Sequence, residues 1–360
     1  MKTIRIAVAF VAGAVLIFGA LLFLARTPEA AEPDRGAPLP VDHTTLPIEV
    51  DRERRELVLE YGSVDLPAGA SHTEVQQLGP LVGTIPFDGW LRGYRVELVD
   101  AEGKPVPQVV LHHINIIGTD RRELFSDIMQ RLGAAGHETA PVKLPRLFGV
   151  PVHEGERLLV TAMLHNPTSE SYRGVRVVTR MQYTPGDTWL RPISVFPFYL
   201  DVMPPASKHA YDLPPGRSEK SWEGRPAVSG RILGVGGHLH KFAVALRFED
   251  VTAGKVLWEA APEVDEDGNV IGMPTKLFLG RFGIPLRTDH VYRLTAIYEN
   301  PTGETLPDAA MGTLGGIVAP SRDTKWPGVD RRHPDYLLDW DLLRDASYGS
   351  PDAGGHHHHH

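Results

Sequence analysis

The 360-residue chain contains no cysteine. That absence excludes disulfide scaffolds, thiol nucleophiles, iron–sulfur clusters, Cys-based zinc modules and type 1 copper, which needs a thiolate. Any metal chemistry must fall to His, carboxylate or Met side chains. Positive charge is scarce as well: 37 Lys and Arg face 45 Asp and Glu, for a formal net charge of −8. Taking Lys2, Arg5 and Arg26 from the 37 leaves 34 bases against 45 acids in the rest, a balance of −11. A broadly basic nucleic-acid surface is therefore excluded, and no nucleic-acid partner is expected.

Long hydrophobic runs are missing but for one. The twenty residues from Ile6 to Ala25 are drawn only from Ile, Ala, Val, Phe, Leu and Gly. About twenty apolar residues can span a bilayer, and Lys2 and Arg5 ahead of them mark the cytoplasmic side. The expectation is an uncleaved single-pass anchor over 1–26 in the cell membrane, with the folded part periplasmic or extracellular. Signal cleavage around Ala30-Ala31, giving a secreted chain, is the alternative. Residues 27–47, rich in Pro, Ala and acid, read as a linker. Lack of cysteine does not oppose export, because disulfides are permitted outside the cytoplasm and not required.

What is present is a turn-rich chain, with 36 Gly, 31 Pro and 42% hydrophobic residues, enough to bury a core and long enough for two domains. Runs such as Val96–Val99, Leu158–Leu164, Val175–Val178 and Ala243–Leu246 have strand length and strand patterning. Turn signals such as Pro185-Gly186-Asp187 and Asp267-Gly268-Asn269 punctuate them. The pattern predicts an all-β chain of antiparallel β-sandwiches. One segment departs from it: Leu124, Phe125, Ile128, Met129 and Leu132 fall at helical spacing before Gly133, which predicts a short amphipathic helix covering a sandwich end.

An internal echo divides the folded part. Thr161-Ala162-Met163-Leu164-His165-Asn166-Pro167-Thr168 matches Thr295-Ala296-Ile297-Tyr298-Glu299-Asn300-Pro301-Thr302 at a spacing of 134 residues. Each copy is a β-run ending in an Asn-Pro turn. Two tandem sandwiches, 48–195 and 196–345, follow, joined within Pro192–Pro205 and trailed by a tail at 346–360. Of 17 histidines, His356–His360 read as a purification tag, leaving twelve.

Two histidine clusters carry chemistry. His112 and His113 are adjacent in a β-type run, where neighbouring side chains face opposite ways, so a shared metal requires a strand end or a bulge. His238 and His240 stand at i and i+2, which project from one face of a strand as a two-imidazole pincer. His165, ending a strand, and Met311 are candidate third ligands. His43, His72, His137, His153, His209, His290 and His333 are read as ordinary surface histidines, and Glu299 as a solvated turn carboxylate.

This order of His-His, strand-end His, His-x-His and late Met resembles the copper type II ascorbate-dependent monooxygenases, the family of peptidylglycine α-hydroxylating monooxygenase and dopamine β-hydroxylase. Leu213-Pro214-Pro215-Gly216 is similar to a stretch preceding the family's His-x-His strand, and the resemblance spans roughly residues 85–320. It implies two tandem jelly-roll-like sandwiches and two copper ions. His112, His113 and His165 would hold the electron-supplying copper, and His238, His240 and Met311 the copper where O2 meets a substrate C–H bond. The implied partners are O2, a small-molecule or hydrophobic substrate, and an electron donor, ascorbate or other. The chain departs from the family at the two positions that read a peptide carboxylate, an Arg and a Tyr there but Gly236 and Gly315 here, so peptide amidation is not expected. The family's disulfides are also absent. Two other readings stand beside this one: a non-catalytic copper protein for storage, delivery or sensing, and an adhesion or carbohydrate-binding sandwich with incidental histidines.

Overall fold

A computed structural model describes residues 45–345 apart from 71–74, 138, 140, 279, 281 and 323. The described chain is all-β with one short helix. In the N-terminal half, a seven-stranded sheet built around Glu56–Leu66, Tyr172–Pro185 and Gly89–Val99 faces a four-stranded sheet containing Arg157–Leu164 and Leu111–Arg122. Their inward residues, among them Leu57, Leu59, Ile114, Ile116 and Val160, close a first core. In the C-terminal half, a five-stranded sheet containing Phe196–Asp201, Gly312–Pro320 and Gly230–Leu239 faces a four-stranded sheet containing Tyr292–Asn300 and Ala243–Asp250. Phe198, Leu200, Val235, Phe248 and Tyr298 belong to this second core. All four runs expected as strands are strands. The chain crosses between the halves at Val195: Ile193–Ser194 pairs with the first half and Phe196–Asp201 with the second.

The echo is a structural repeat. Asn166 is 1% exposed; its Nδ2 donates to the carbonyls of Leu66 (3.3 Å), Pro67 (2.9 Å) and Glu170 (2.8 Å), and its Oδ1 accepts from Thr168 N and Oγ1. Asn300, also 1% exposed, donates to Leu213 (3.2 Å), Pro214 (3.2 Å) and Glu304 (2.8 Å), and accepts from Thr302 N and Oγ1. A second echo emerges from these partners: Asp65-Leu66-Pro67-Ala68-Gly69 and Asp212-Leu213-Pro214-Pro215-Gly216. Asp65 accepts from Gly174 N at 2.8 Å and Asp212 from Asp308 N at 3.0 Å, and both donors have positive φ, 56° and 49°. The Pro-Pro-Gly stretch is thus one of two copies of the same corner.

Two expectations are corrected. The helix over 124–132 is absent: Leu111–Arg122 and Met129–Ala135 are paired strands, and 123–128 is the turn between them. Buried Glu123 holds that turn, accepting from the N–H groups of Leu124, Arg131 and Tyr199. Leu124 and Phe125 leave their own half to enter the second core, with Phe125 edge-on to Phe198 at 5.8 Å. The second correction concerns membrane localisation. Among the described residues no helix is long and apolar enough to cross a membrane. The helix Pro334–Asp345 has 12 residues, about 18 Å against a hydrocarbon core of about 30 Å. The run Ile6–Ala25, on which the single-pass anchor was expected, lies outside the described residues, as do His43, His72 and the tail 346–360.

Candidate functional site

In the C-terminal half the strands Gly230–Leu239 and Gly312–Pro320 pair antiparallel, with His238 opposite Thr313 and Leu239 opposite Gly312. One further step sets His240 beside Met311. The Tyr298 hydroxyl fixes that step, accepting from His240 N (3.0 Å) and Met311 N (3.1 Å) and donating to the Met311 carbonyl. The rings of His238 and His240 stand 5.2 Å apart, nearly perpendicular. A Cβ added at Gly237, Gly312 or Gly316 would strike Leu246, Ala296 or Phe198 respectively, so those positions face the core. Strand alternation then puts His238, Met311, Thr313 and Gly315 together on the opposite face. The structure brings His238, His240 and Met311 to one place.

A third strand widens this face. Asp201 of Phe196–Asp201 lies opposite Thr313, so Asp201, Thr313 and His238 form one row across three strands. Asp201 is buried; its Oδ1 accepts from Met203 N (2.9 Å), and its Oδ2 from Tyr199 Oη (2.6 Å) and His209 Nδ1 (2.8 Å). Burial and the neighbouring carboxylate push the Tyr199 phenol well above its ordinary value, so it remains a donor. A carboxylate on Nδ1 places the hydrogen there and leaves His209 Nε2 as the acceptor. His209, read as an ordinary surface histidine, is exposed, with its ring held by Asp201. The signal was an acid closing the apolar run Phe196–Leu200, since a buried carboxylate demands partners.

His112 and His113 open the strand Leu111–Arg122 at a bulge between Leu111 and His113, with ring centroids 5.1 Å apart. The bulge is what a shared facing of adjacent histidines requires. His165 N donates to Val110 O at 2.9 Å, and in the repeat Glu299 N donates to Phe242 O at 2.9 Å, so the two residues occupy equivalent corners. Glu299 is exposed, a turn carboxylate. Burial, then the imidazoles of His112, His209 and His238, pull the His113 pKa from 6.5 down to about 4. Two of those imidazoles belong to the C-terminal half, so His113 feels charge from both halves.

None of this builds a metal cage of imidazoles. Among the described residues no group of three or more His, Asp or Glu side chains could hold a metal ion. The expected metal-binding centre of three imidazoles at His112, His113 and His165, and the copper and monooxygenase labels so far as they rested on it, are corrected. The reason is local: His165 Nε2 lies 3.2 Å from the Ala70 carbonyl. The C-terminal trio differs in kind, because its third member is a thioether.

The lowered His113 pKa fixes a sign for stability. The unfolded ring takes a proton near pH 6.5 that the folded ring refuses until about pH 4. Stability from this group is full above pH 6.5 and is lost as pH falls toward 4. The full shift overstates the loss because the ring keeps some solvent contact, and about 2 kcal/mol is expected. Urea unfolding at pH 7.5 and 4.5 checks it: His113→Asn should show the shallower decline, and parallel declines would refute the assignment.

No protein-family model and no curated protein matches the chain. Among solved structures it is similar to the major capsid protein P2 of bacteriophage PM2, at 12% identity and a TM-score of 0.36, covering 74% of this chain and 99% of that one. A structure of infectious bursal disease virus, Gx strain, is similar at 12% identity and a TM-score of 0.20, covering 82% of this chain and 79% of that one. Likenesses this weak identify neither a family nor a function, and neither description concerns copper or oxygen chemistry.

Proposed function

We propose that the chain is a copper-dependent monooxygenase, built on two tandem jelly-roll-like sandwiches, in which His238, His240 and Met311 hold the ion that works on O2. One observation carries the reading: the Tyr298 hydroxyl binds the backbone of both His240 and Met311. It joins a two-imidazole pincer to a thioether 71 residues further along the chain. The donor set suits copper, since imidazole serves both oxidation states and a soft thioether favours Cu(I).

Copper held there would supply redox chemistry with O2, an external reductant such as ascorbate providing electrons. The chain's own residues orient and hold. Tyr298 fixes the spacing of His240 and Met311 from the core side. Asp201 and Tyr199 hold the His209 ring in place. Gly236 and Gly315 leave no side chain to pair a substrate carboxylate.

Metal analysis of tag-free protein tests the reading, because His356–His360 bind metal themselves. One copper is expected per chain, together with reductant-driven O2 uptake that rises with substrate. His240→Ala and Met311→Ala should each lose one copper and that uptake. Full copper retention in both variants overturns the site, and copper without substrate-coupled uptake favours the non-catalytic copper protein.

A further inference from the structure

Among the described residues, Arg92 is a half-buried cation without an anion. It belongs to Gly89–Val99, the strand between Tyr172–Pro185 on one side and Val142–Lys143 and Phe148–Val152 on the other. Towards Tyr172–Pro185, Gln182 pairs with Gly93 and Tyr183 with Leu91, so Arg92 is the extra residue of a β-bulge. A bulge re-aims the side chain it carries. On the other side Gly93 pairs with Lys143 and Leu91 with Val150, so the loop between those partners, which carries Arg146, passes Arg92. Leu144 N donates to the Arg92 carbonyl at 2.8 Å. The Arg92 Nε is shut off from solvent and has no hydrogen-bond partner among the described residues.

The surroundings make this costly. Burial, then the Arg146 guanidinium, lower the Arg92 pKa, yet an arginine keeps its proton. Two positive charges thus stand close together, one of them partly desolvated, and neither meets a carboxylate among the described residues. Elsewhere on this sheet Arg95 pairs with Glu56 and Glu97, Arg176 with Glu60 and Arg180 with Glu97. Asp88, the nearest acid before Arg92 in the chain, is engaged by His153 Nδ1 (3.2 Å) and Glu154 N (3.2 Å). Segments 141–152 and 188–198 hold Lys143, Arg146 and Arg191 but no Asp or Glu, in a chain of 45 acids and 37 bases. The two segments run together: Phe148 pairs in parallel with Ile193, and Arg146 and Arg191 each stand two residues earlier. A desolvated charge demands a counter-charge. The two oxygens of a planar carboxylate satisfy one guanidinium fork, whereas the three free oxygens of a phosphate group serve two.

We propose that Arg92 and Arg146 form a binding site for a phosphate group, with Lys143 and Arg191 adding charge at its rim. The bound anion relieves the repulsion between the two guanidiniums and supplies the missing counter-charge. The site stands apart from the copper reading and shares no residue with it. Trp189, 92% exposed, and Leu190, 61% exposed, directly precede Arg191, so the phosphate has two sources to be told apart, a free ester and a lipid headgroup.

The test titrates inorganic phosphate into metal-free, tag-free full chain at constant ionic strength, followed by phosphorus line broadening and by the rise in Tm. Phosphate also stabilises proteins unspecifically, so the variants decide. Affinity should fall at least tenfold in Arg92→Gln and in Arg146→Gln. It should be unchanged in Arg176→Gln, which takes a paired cation from the same sheet. Without phosphate, Arg146→Gln should melt no lower than wild type, because it removes a repulsion and no ion pair. Wild-type phosphate binding in both Arg92→Gln and Arg146→Gln, or no binding by the wild type, overturns the proposal, as does a lower Tm of phosphate-free Arg146→Gln. Sedimentation with vesicles of phosphatidic acid but not phosphatidylcholine, lost in Arg146→Gln, would assign the phosphate to a lipid. Phosphate binding without sedimentation would assign it to a free ester, and either result upholds the site.

Discussion

Asn300→Ala should lower the stability of the chain by about 3 kcal/mol, and Asn166→Ala should do the same. Each amide is buried and serves three carbonyls and a threonine, so truncation strands several backbone groups at once. A lost hydrogen bond costs about 1 kcal/mol, and a buried group left without a partner costs about 1–3. The amide has only two N–H groups for three carbonyls, so the contacts do not add in full. Equality between the two variants is the sharper part, because it follows from the corners being copies. Calorimetry on both decides it. A loss below 1 kcal/mol in either, or a difference above 2 between them, would refute the shared role.

The repeat was half legible. Asn-Pro-Thr could be seen because it lies within one strand and its turn. Asp-Leu-Pro-x-Gly could not be joined to it, because the corners meet only after each half folds and the second pair is spaced 147 residues apart instead of 134. Alternation identified the strands. It failed at 124–132, where turn residues bound for the second core and strand residues of the first happen to share a helical period. The true helix, Pro334–Asp345, escaped for the opposite reason. Its buried positions Tyr336, Asp339 and Trp340 have helical spacing, but an acid occupies one of them, paired with Arg131.

At the site, the His238–His240 pincer was legible because two residues on a strand fix a common face. Met311 became a partner only through strand register. The hold on His209 was invisible, since it comes from the buried Asp201, eight residues away in the chain. Local pattern finds donors; the fold decides which of them meet.

Tyr298→Phe should weaken Cu(I) binding at His238, His240 and Met311 by 10–100-fold, the usual cost of losing a support behind metal ligands. The hydroxyl is the shared partner of His240 N, Met311 N and the Met311 carbonyl, and its removal frees the two backbones to part. The repeat shows that this is not a general demand of the fold. The position equivalent to Tyr298 is Leu164, fully buried and without a hydroxyl, in the half that lacks the His-x-His strand. Some stability, about 2 kcal/mol, should be lost as well. Tyr61→Phe controls for that part, because Tyr61 is similarly buried in the first core and donates to the Gly79 carbonyl, far from the pincer in the chain. It should lower stability comparably and leave Cu(I) binding at the pincer unchanged. Anaerobic competition against a chromophoric chelator measures the affinity. Binding within twofold of wild type in Tyr298→Phe would mean that the imidazoles and thioether find the ion without their hydroxyl link, and the observation that carries the functional reading would fall.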